Sequence, residues 1–134
     1  MTMTALDRRK IENLSPGDSL PGGIVFGGLS PDTGKPFFAA AADESAPMGW
    51  EDANRTAVRK SADGNRWRLA TEGEWTVLRR NRDKGALAGT FNEAGWYWTA
   101  HEVNRRKART LNPKDGTRND DFKFRPSLVR LVRD

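Results

Sequence analysis

Few residues in this chain have the side chains that enzymes use for catalysis. The 134-residue sequence has no cysteine and a single histidine, His101, which lies next to Glu102. Without cysteine there is no thiol nucleophile, no disulfide and no Cys-ligated zinc or iron–sulfur site. One histidine also excludes a metal site with several His ligands. We therefore predict neither a cofactor nor a bound metal.

The remaining candidates for catalysis are carboxylates and hydroxyls. Glu72, Glu74 and Glu93 could act as acids or bases, but the position of Glu74 indicates a structural role at the start of a helix. No serine lies in a nucleophile-elbow sequence, and the spacing in "GLSPDTGK" differs from that of a phosphate-binding loop. A lone histidine is usually a surface or hydrogen-bonded residue. The sequence therefore predicts a protein that is not an enzyme.

Two apolar runs in the first third of the chain predict a β-hairpin. "GIVFGGLS" and "KPFFAAAA" are joined by "PDTG", which is a turn signature. Gly27 and Gly28 inside the first run indicate a bulge or a close approach of the backbone. The side chains expected to face inward are Ile24, Phe26 and either Phe37 or Phe38.

Two helices are predicted in the middle of the chain. The first is "WEDANRTAVRKSADG", with Gly64 placed to end it. Its buried side would consist of Ala53, Ala57 and Val58. The second is "TEGEWTVLRRNR", in which Thr71 and Glu74 have the spacing of a capping box. Trp75 and Leu78 would form the buried stripe of this second helix.

Short apolar runs predict strands in the second half. "RWRLA" precedes the second helix, and "GWYWTA", "ARTLNP" and "SLVRLVR" follow a loop from Gly85 to Asn92. Because alternate residues of a strand face opposite sides, Trp96 and Trp98 would share one face, with Tyr97 on the other. We expect both tryptophans to be at least half buried. "RNDD", residues 118–121, is interpreted as a solvated loop.

The order of these elements predicts the fold class. Strands, two helices and further strands indicate an α+β domain, with two helices packed on a small twisted antiparallel sheet and long polar loops. The chain is long enough for one hydrophobic core. We expect residues 1–15 to form an N-terminal arm or short helix, and residues 16–134 to form the domain.

Charge is distributed unevenly along the sequence. Residues 1–53 contain four Lys or Arg and eight Asp or Glu, a net charge of −4, whereas residues 54–134 contain nineteen and ten, a net charge of +9. This asymmetry suits docking onto charged neighbours, although a solvated surface without a partner can have the same composition. "RRKAR" and "FKFR" also place cations near Phe122 and Phe124, as single-strand-binding proteins do. The ten acidic residues in the same half disfavour nucleic acid.

The N-terminal sequence has no apolar run that resembles a signal peptide. No segment reaches the ~18 apolar residues that a membrane-spanning helix needs. We therefore expect a protein that is made in the cytoplasm without a signal peptide and has no membrane partner. It could remain there or enter a particle that is released by lysis.

Several motifs, taken in order, resemble a family of bacterial and phage domains. These are "GDSLPGGIVFGGLSPDTGKPFFAA", "WRLATEGEW", "YWTAHE", "ARTLNPKDG" and "VRLVRD". Across residues 16–134 they resemble the Lcl C-terminal domain and, more distantly, the formylglycine-generating-enzyme group, with Ala70 where those relatives have proline. The resemblance implies a C-type-lectin-like fold. It also implies mainly structural roles for Trp67, Trp75, Trp96 and Trp98.

Two features of that superfamily are missing from this sequence. Formylglycine-generating enzymes use paired cysteines, which this chain lacks. Calcium-dependent lectins use Glu-Pro-Asn or Gln-Pro-Asp loops and a Trp-Asn-Asp strand, and none of these strings occurs here. The resemblance therefore implies a non-catalytic member without a calcium site.

By analogy with this family, we expect a binding or assembly module. The expected setting is the virion of a phage or prophage, as a head decoration or a tail or fibre tip, where the partner is another copy of the chain or a capsid or tail protein. The alternative is a free lectin-like receptor-binding protein for a glycan or a host surface protein, and a less favoured one is a nucleic-acid-binding protein. The expected binding residues are His101, Glu102, Asn104, Arg105, Arg106, Arg118, Asn119, Asp120 and Lys123.

Overall fold

A computed structural model describes residues 14–20, 24–83 and 91–134 of the chain. Within them lie β1 (Val25–Leu29), β2 (Pro36–Ala39), α1 (Trp50–Lys60), β3 (Trp67–Leu69), α2 (Glu72–Asp83), β4 (Tyr97–Glu102), β5 (Lys107–Leu111), β6 (Arg118–Phe122) and β7 (Leu131–Arg133). The strands form two antiparallel sheets, ordered β1-β2-β7-β3 and β4-β5-β6. The α+β class is confirmed, but in these ranges two small sheets replace the single sheet that we expected.

Two of the predicted segments fall mainly outside these ranges. They are the N-terminal arm, of which only residues 14 and 15 are described, and the loop from Gly85 to Asn92, of which only the last two residues are described. Among the helices that are described, none is long and apolar enough to cross a lipid bilayer.

The predicted hairpin is present, and its bulge lies at the two glycines. The register of β1 against β2 shifts between Phe26 and Gly28. Gly28 has a φ of +122°, and a Cβ on Gly27 would approach the ring of Phe37 to 2.8 Å. Both Phe37 and Phe38 are buried, although we expected only one to face inward. Strand β2 is covered on both faces, and the ring centroid of Phe38 lies 5.6 Å from that of Phe26.

Helix α1 buries a narrower side than its sequence predicts. Ala53 and Ala57 are fully buried, as expected, but 73% of Val58 is exposed. Val58 is five residues after Ala53, which places it ~140° around the helix from that contact. The α-helix ends at Lys60, and a 3-10 turn over Ser61–Asp63 continues to Gly64, whose φ of 94° closes the segment.

The capping box of α2 is confirmed. The Glu74 N–H donates to Thr71 Oγ1, and the Thr71 N–H donates to Glu74 Oε1, each at 3.0 Å. Arg68 from β3 donates to both oxygens of the buried Glu74, at 2.6 and 2.8 Å. Burial raises the pKa of Glu74, but the bonds from Arg68 and Thr71 outweigh it and hold that pKa below its usual value. Trp75 and Leu78 are fully buried, as predicted.

Strand β4 lies between two hydrophobic clusters, which explains its run of aromatic residues. Tyr97 packs in the first cluster, with its ring 4.9 Å from that of Trp75. Trp98 packs in the second cluster and donates from Nε1 to Met48 O at 2.8 Å. Trp98 is fully buried and Trp96 is 37% exposed, so the expected half-burial of both tryptophans is confirmed. Tyr97 is buried as well, because the opposite face of β4 is also covered.

The segment "RNDD" was predicted as a loop, and that prediction is wrong. It lies in β6, which pairs with β5 along its whole length. The turn between the two strands closes with Asn112 N–H donating to Thr117 O at 2.9 Å. A cross-strand ion pair between Arg109 and Asp120, at 2.8 Å, supports the pairing. Because β6 is a polar edge strand, it carries no apolar alternation in its sequence.

Candidate binding site

The structure divides most of the predicted binding residues between two surfaces. His101, Arg118 and Asp120 lie near the N-terminus of α2, in a group that we call the Glu72 cluster. Arg105, Arg106 and Lys123 lie at the far end of the second sheet, where the β4–β5 turn meets the start of α1. We call this second surface the arginine groove. Glu102 adjoins it through an ion pair with Lys123.

Glu72 joins three strands to helix α2. Its Oε1 accepts from Arg118 Nε at 2.6 Å, and its Oε2 lies 2.8 Å from His101 Nδ1 and 3.5 Å from Arg109 Nη1. Arg109 also donates from Nε to Asp120 Oδ1 at 2.8 Å. Burial raises the pKa of Glu72, but Arg118, Arg109 and His101 together lower it below its ordinary value.

Glu72 and Arg109 were not among the predicted binding residues. Arg109 joins the cluster because it is opposite Asp120 in the register of β5 and β6, and the sequence carried no signal for this pairing while β6 was predicted as a loop. Glu72 could not be placed from sequence, because only the packing of α2 brings it to the sheet. Both oxygens of Glu72 already have charged partners, so the cluster ties the helix to the second sheet. In the described ranges, no group of His, Asp and Glu is arranged to hold a metal ion.

The arginine groove is an open depression of about 700 Å³ between α1, the β4–β5 turn and the segment after β6. Two acidic residues line it, and both have partners inside the groove. Asp52 forms an ion pair with Arg55 at 2.7 Å, and Glu51 lies 3.7 Å from Lys123 Nζ. Lys123 also contacts Glu102 and lies 4.8 Å above the ring of Trp50. The Lys123 side chain is only 10% exposed, so its charge interacts with neighbouring residues of the same chain.

Arg105 and Arg106 are different from the other cations of the groove. Both are exposed, and neither side chain forms an ion pair or hydrogen bond with a residue that the structure describes. The turn that carries them is held by Asn104, whose Oδ1 accepts from the N–H groups of Arg106 and Lys107, each at 2.8 Å. Asn104 therefore has a structural role, because it fixes the turn that carries the two arginines.

Two phenylalanines form one wall of the groove. The rings of Phe122 and Phe124 are stacked, with centroids 5.6 Å apart and an interplanar angle of 20°. Lys107 and Arg125 also lie over the ring of Phe122, at 4.8 and 5.4 Å from its centroid. Phe124 is 78% exposed and presents its ring to solvent beside the unpaired arginines. The sequence pattern of basic and aromatic residues identified this pair.

Asn119 belongs to neither surface. It contributes to a shallow depression together with Trp96, Thr110 and Leu128. Its carbonyl oxygen accepts from Thr110 Oγ1 at 3.1 Å. The predicted site therefore includes one residue from a third part of the surface.

Comparison with protein-family models finds no model that matches this chain, and a search of curated proteins also finds no match. The fold and the site define a small α+β domain with an open groove of mixed charge and an exposed aromatic ring.

Proposed function

We propose that this chain is a non-enzymatic binding and assembly module that docks a protein partner in the arginine groove. One observation carries the proposal: Arg105 and Arg106 are unpaired among the described residues, and they lie beside the exposed ring of Phe124. Arginine and aromatic residues are enriched where protein interfaces gain most of their binding energy. An acidic segment with an aromatic or apolar side chain complements both features.

The mixed charge of the groove favours a protein over a nucleic acid. Glu51 and Asp52 line the same depression as the arginines and repel a long run of negative charge, so the groove suits a protein segment with one or two carboxylates better than a continuous phosphate backbone. They also form ion pairs with Lys123 and Arg55, so among the described cations that line the groove Arg105 and Arg106 remain without an acidic partner. Nonspecific nucleic-acid affinity depends on neutralising several phosphates. The stacked phenylalanines remain the one feature that favours single strands, so nucleic acid is an outcome of the test.

We further propose a C-type-lectin-like fold for this domain and a phage or prophage virion as its setting. The support for both is the order of family-like motifs across residues 16–134. The capping box and the Arg68–Glu74 ion pair lie in the motif "WRLATEGEW", which is one of these motifs. A module of this kind would use its sheets and helices as a rigid base for the groove. Mass spectrometry of purified virions from the source tests the setting.

The groove is tested with two labelled probes. The first is a random copolymer of glutamate and tyrosine, which stands in for an acidic, aromatic protein segment, and the second is a single-stranded DNA oligonucleotide. We expect the copolymer to bind at ~150 mM salt, and the double variant Arg105→Glu/Arg106→Glu to lose at least ~10-fold in affinity. The DNA should bind weakly, without a steep decrease between ~50 and ~200 mM salt.

The matched control is the double variant Arg66→Glu/Arg80→Glu. These two arginines are also exposed and lie outside the groove, so the net charge changes equally while the groove stays intact. Equal losses in both double variants would mean that only net charge matters, which contradicts the proposal. Tight, steeply salt-dependent DNA binding that disappears with the groove variant would instead assign the surface to nucleic acid.

A further inference from the structure

β6, an outer strand of the second sheet, has no hydrogen-bonded neighbour on its outer side among the described residues, unlike the other outer strands. The two sheets have four outer strands, β1, β3, β4 and β6. Three of them are covered, because a described residue accepts a backbone hydrogen bond from the outer side of each strand: Asp18 from β1, Ser61 from β3 and Leu128 from β4. No described residue covers β6 in this way, and residues 117–120 are all exposed.

The register identifies the backbone groups of β6 that point away from β5. The pattern is set by two bonds at the ends of the ladder, both 2.9 Å long: Lys123 N–H to Arg106 O and Asn112 N–H to Thr117 O. Because bonded positions alternate in an antiparallel ladder, Asn119 and Asp121 also face β5. The N–H and C=O groups of Arg118 and Asp120 therefore face outward. None of these four groups has a hydrogen bond within the described part of the chain.

The side chains on this edge have a charge pattern that is complementary to itself. Arg118 and Asp120 flank Asn119, so an antiparallel second copy centred on Asn119 places each Arg118 opposite the partner's Asp120. Opposite charges directly across two strands are stabilising, and like charges are destabilising. Both side chains retain free atoms, because Arg118 bonds through Nε and Nη1 and Asp120 through Oδ1 alone. Arg118 Nη2 and Asp120 Oδ2 can therefore pair across the interface.

We propose that two copies of this chain associate by antiparallel pairing of β6 with β6, centred on Asn119, which joins two three-stranded sheets into one. The outward N–H and C=O groups of Arg118 and Asp120 bond to those of the partner subunit. This inference rests on the assembly role proposed above and names a second copy as one partner. It uses a different surface from the arginine groove, so either interface can fail alone.

The interface is short, and the association is therefore weak. Phe122 is the next outward position, but its N–H donates to Asp121 Oδ1 at 2.8 Å and its carbonyl accepts from Arg125 N at 3.0 Å. The ladder between copies consequently ends at Asp120. Such a small contact area is typical of transient complexes, so the dimer fraction should rise with concentration.

The backbone part of the proposal is tested by residue-resolved amide hydrogen exchange in NMR, at ~20 µM and ~1 mM protein. We expect the exchange of the Arg118 and Asp120 amides to slow several-fold at the higher concentration. The amides of Asn119 and Asp121 should change little, because they already bond to β5. Sedimentation equilibrium on the same samples should show a monomer–dimer equilibrium.

The side-chain part is tested with the single variants Arg118→Asp and Asp120→Arg. Each variant places like charges opposite one another twice in its own dimer, so self-association should weaken by roughly tenfold or more. In an equimolar mixture, the acidic positions of one variant face the arginines of the other. Association should therefore recover in the mixture, as a heterodimer. A merely structural role for these residues would not produce this recovery.

Three results would overturn the proposal: a wild-type monomer at ~1 mM, a mixture that associates no better than either variant alone, or a dimer that both single variants leave intact. The Arg105→Glu/Arg106→Glu variant separates this proposal from the previous one. It should lose copolymer binding and retain self-association. Loss of both properties together would contradict the independence of the two surfaces.

Discussion

At the scale of single residues, Glu72 connects helix α2 to all three strands of the second sheet. It lies in the first turn of α2 and reaches His101 on β4, Arg109 on β5 and Arg118 on β6. Its side chain is 20% exposed, so these interactions are less screened than those on an open surface. The charge of one carboxylate therefore holds the helix against three strands.

Replacing Glu72 with Gln should lower stability by about 1 kcal/mol at pH 7, because Arg118 loses its charged partner and Arg109 loses one partner while it retains Asp120. The effect should depend on pH. The pKa of Glu72 is lower in the folded protein than its usual value of 4.5, so its stabilisation is complete above that value. It is lost as the pH falls through the folded-state pKa. Urea unfolding of both proteins at pH 7 and pH 3 should show a difference that shrinks at low pH.

Glu44→Gln is the control for this experiment, because the Glu44 side chain has no ion pair or hydrogen bond with a described residue. Its difference from the wild type should be small at both pH values. A Glu72→Gln difference that is the same at pH 3 and pH 7 would show that the carboxylate charge contributes nothing.

Removal of the Trp75 side chain should be strongly destabilising. It is fully buried, and its ring lies 5.3 Å from that of Phe91 and 4.9 Å from that of Tyr97. Trp75→Ala should destabilise the protein by about 3–5 kcal/mol, through lost burial and the cavity that remains. Trp96→Ala is the matched comparison, and because Trp96 is 37% exposed its cost should be clearly smaller. Equal melting temperatures for the two variants would contradict the assignment of the core.

At the scale of elements, helix α2 is positioned by contacts at its first turn. The hydroxyl of Thr71 accepts from the Glu74 N–H and donates to the carboxylate of Asp32 in the β1–β2 turn. Arg68 then connects Glu74 to β3 and to Asp134 at the end of the chain. The start of the helix is therefore tied to the first sheet at several points, which sets where Glu72 meets the second sheet.

Thr71→Ala should cost about 1–2 kcal/mol, since it removes the N-cap oxygen and the bond to Asp32. Thr71→Ser should cost much less, because serine provides the same hydroxyl. Chemical denaturation of the two variants and the wild type measures both effects. A serine variant as unstable as the alanine variant would mean that the methyl group, rather than the cap, matters at this position.

At the scale of the whole molecule, two sheets and two helices enclose two hydrophobic clusters, and strand β4 contributes to both. Arg130 near the C-terminus is also buried, where it donates to Asp43 Oδ1 at 2.8 Å. Residues from distant parts of the sequence therefore complete the interior. The interior therefore combines packed apolar side chains with the Arg130–Asp43 ion pair.

We predict that the melting temperature will be the same in EDTA and in millimolar Ca²⁺. A calcium site needs six to eight oxygen ligands, and a bound ion would stabilise the fold by RT ln(1 + [Ca²⁺]/Kd). Differential scanning fluorimetry under the two conditions provides the measurement, with Mg²⁺ as the control for ionic strength. A rise specific to Ca²⁺ would contradict the prediction and indicate a calcium-dependent lectin-like site.

Features that depend on neighbouring residues could be predicted from the sequence. The hairpin, the capping box and the burial of Ala53, Trp75 and Leu78 follow from turn residues and from periodicity over one or two turns. The charged and aromatic composition of the arginine groove also follows from local sequence, because Arg105 and Arg106 lie in one turn.

Features that depend on distant residues were decided only by the tertiary structure. Phe37 and Phe38 are both buried because β2 is covered on its two faces, which no alternation pattern reveals. Glu72 contacts residues of three strands because the packing of helix α2 places it beside the second sheet. β6 forms because its backbone pairs with β5, whatever the polarity of its side chains. The sequence by itself thus determined the helices and the residue types at the surface, whereas long-range packing decided which of those residues meet.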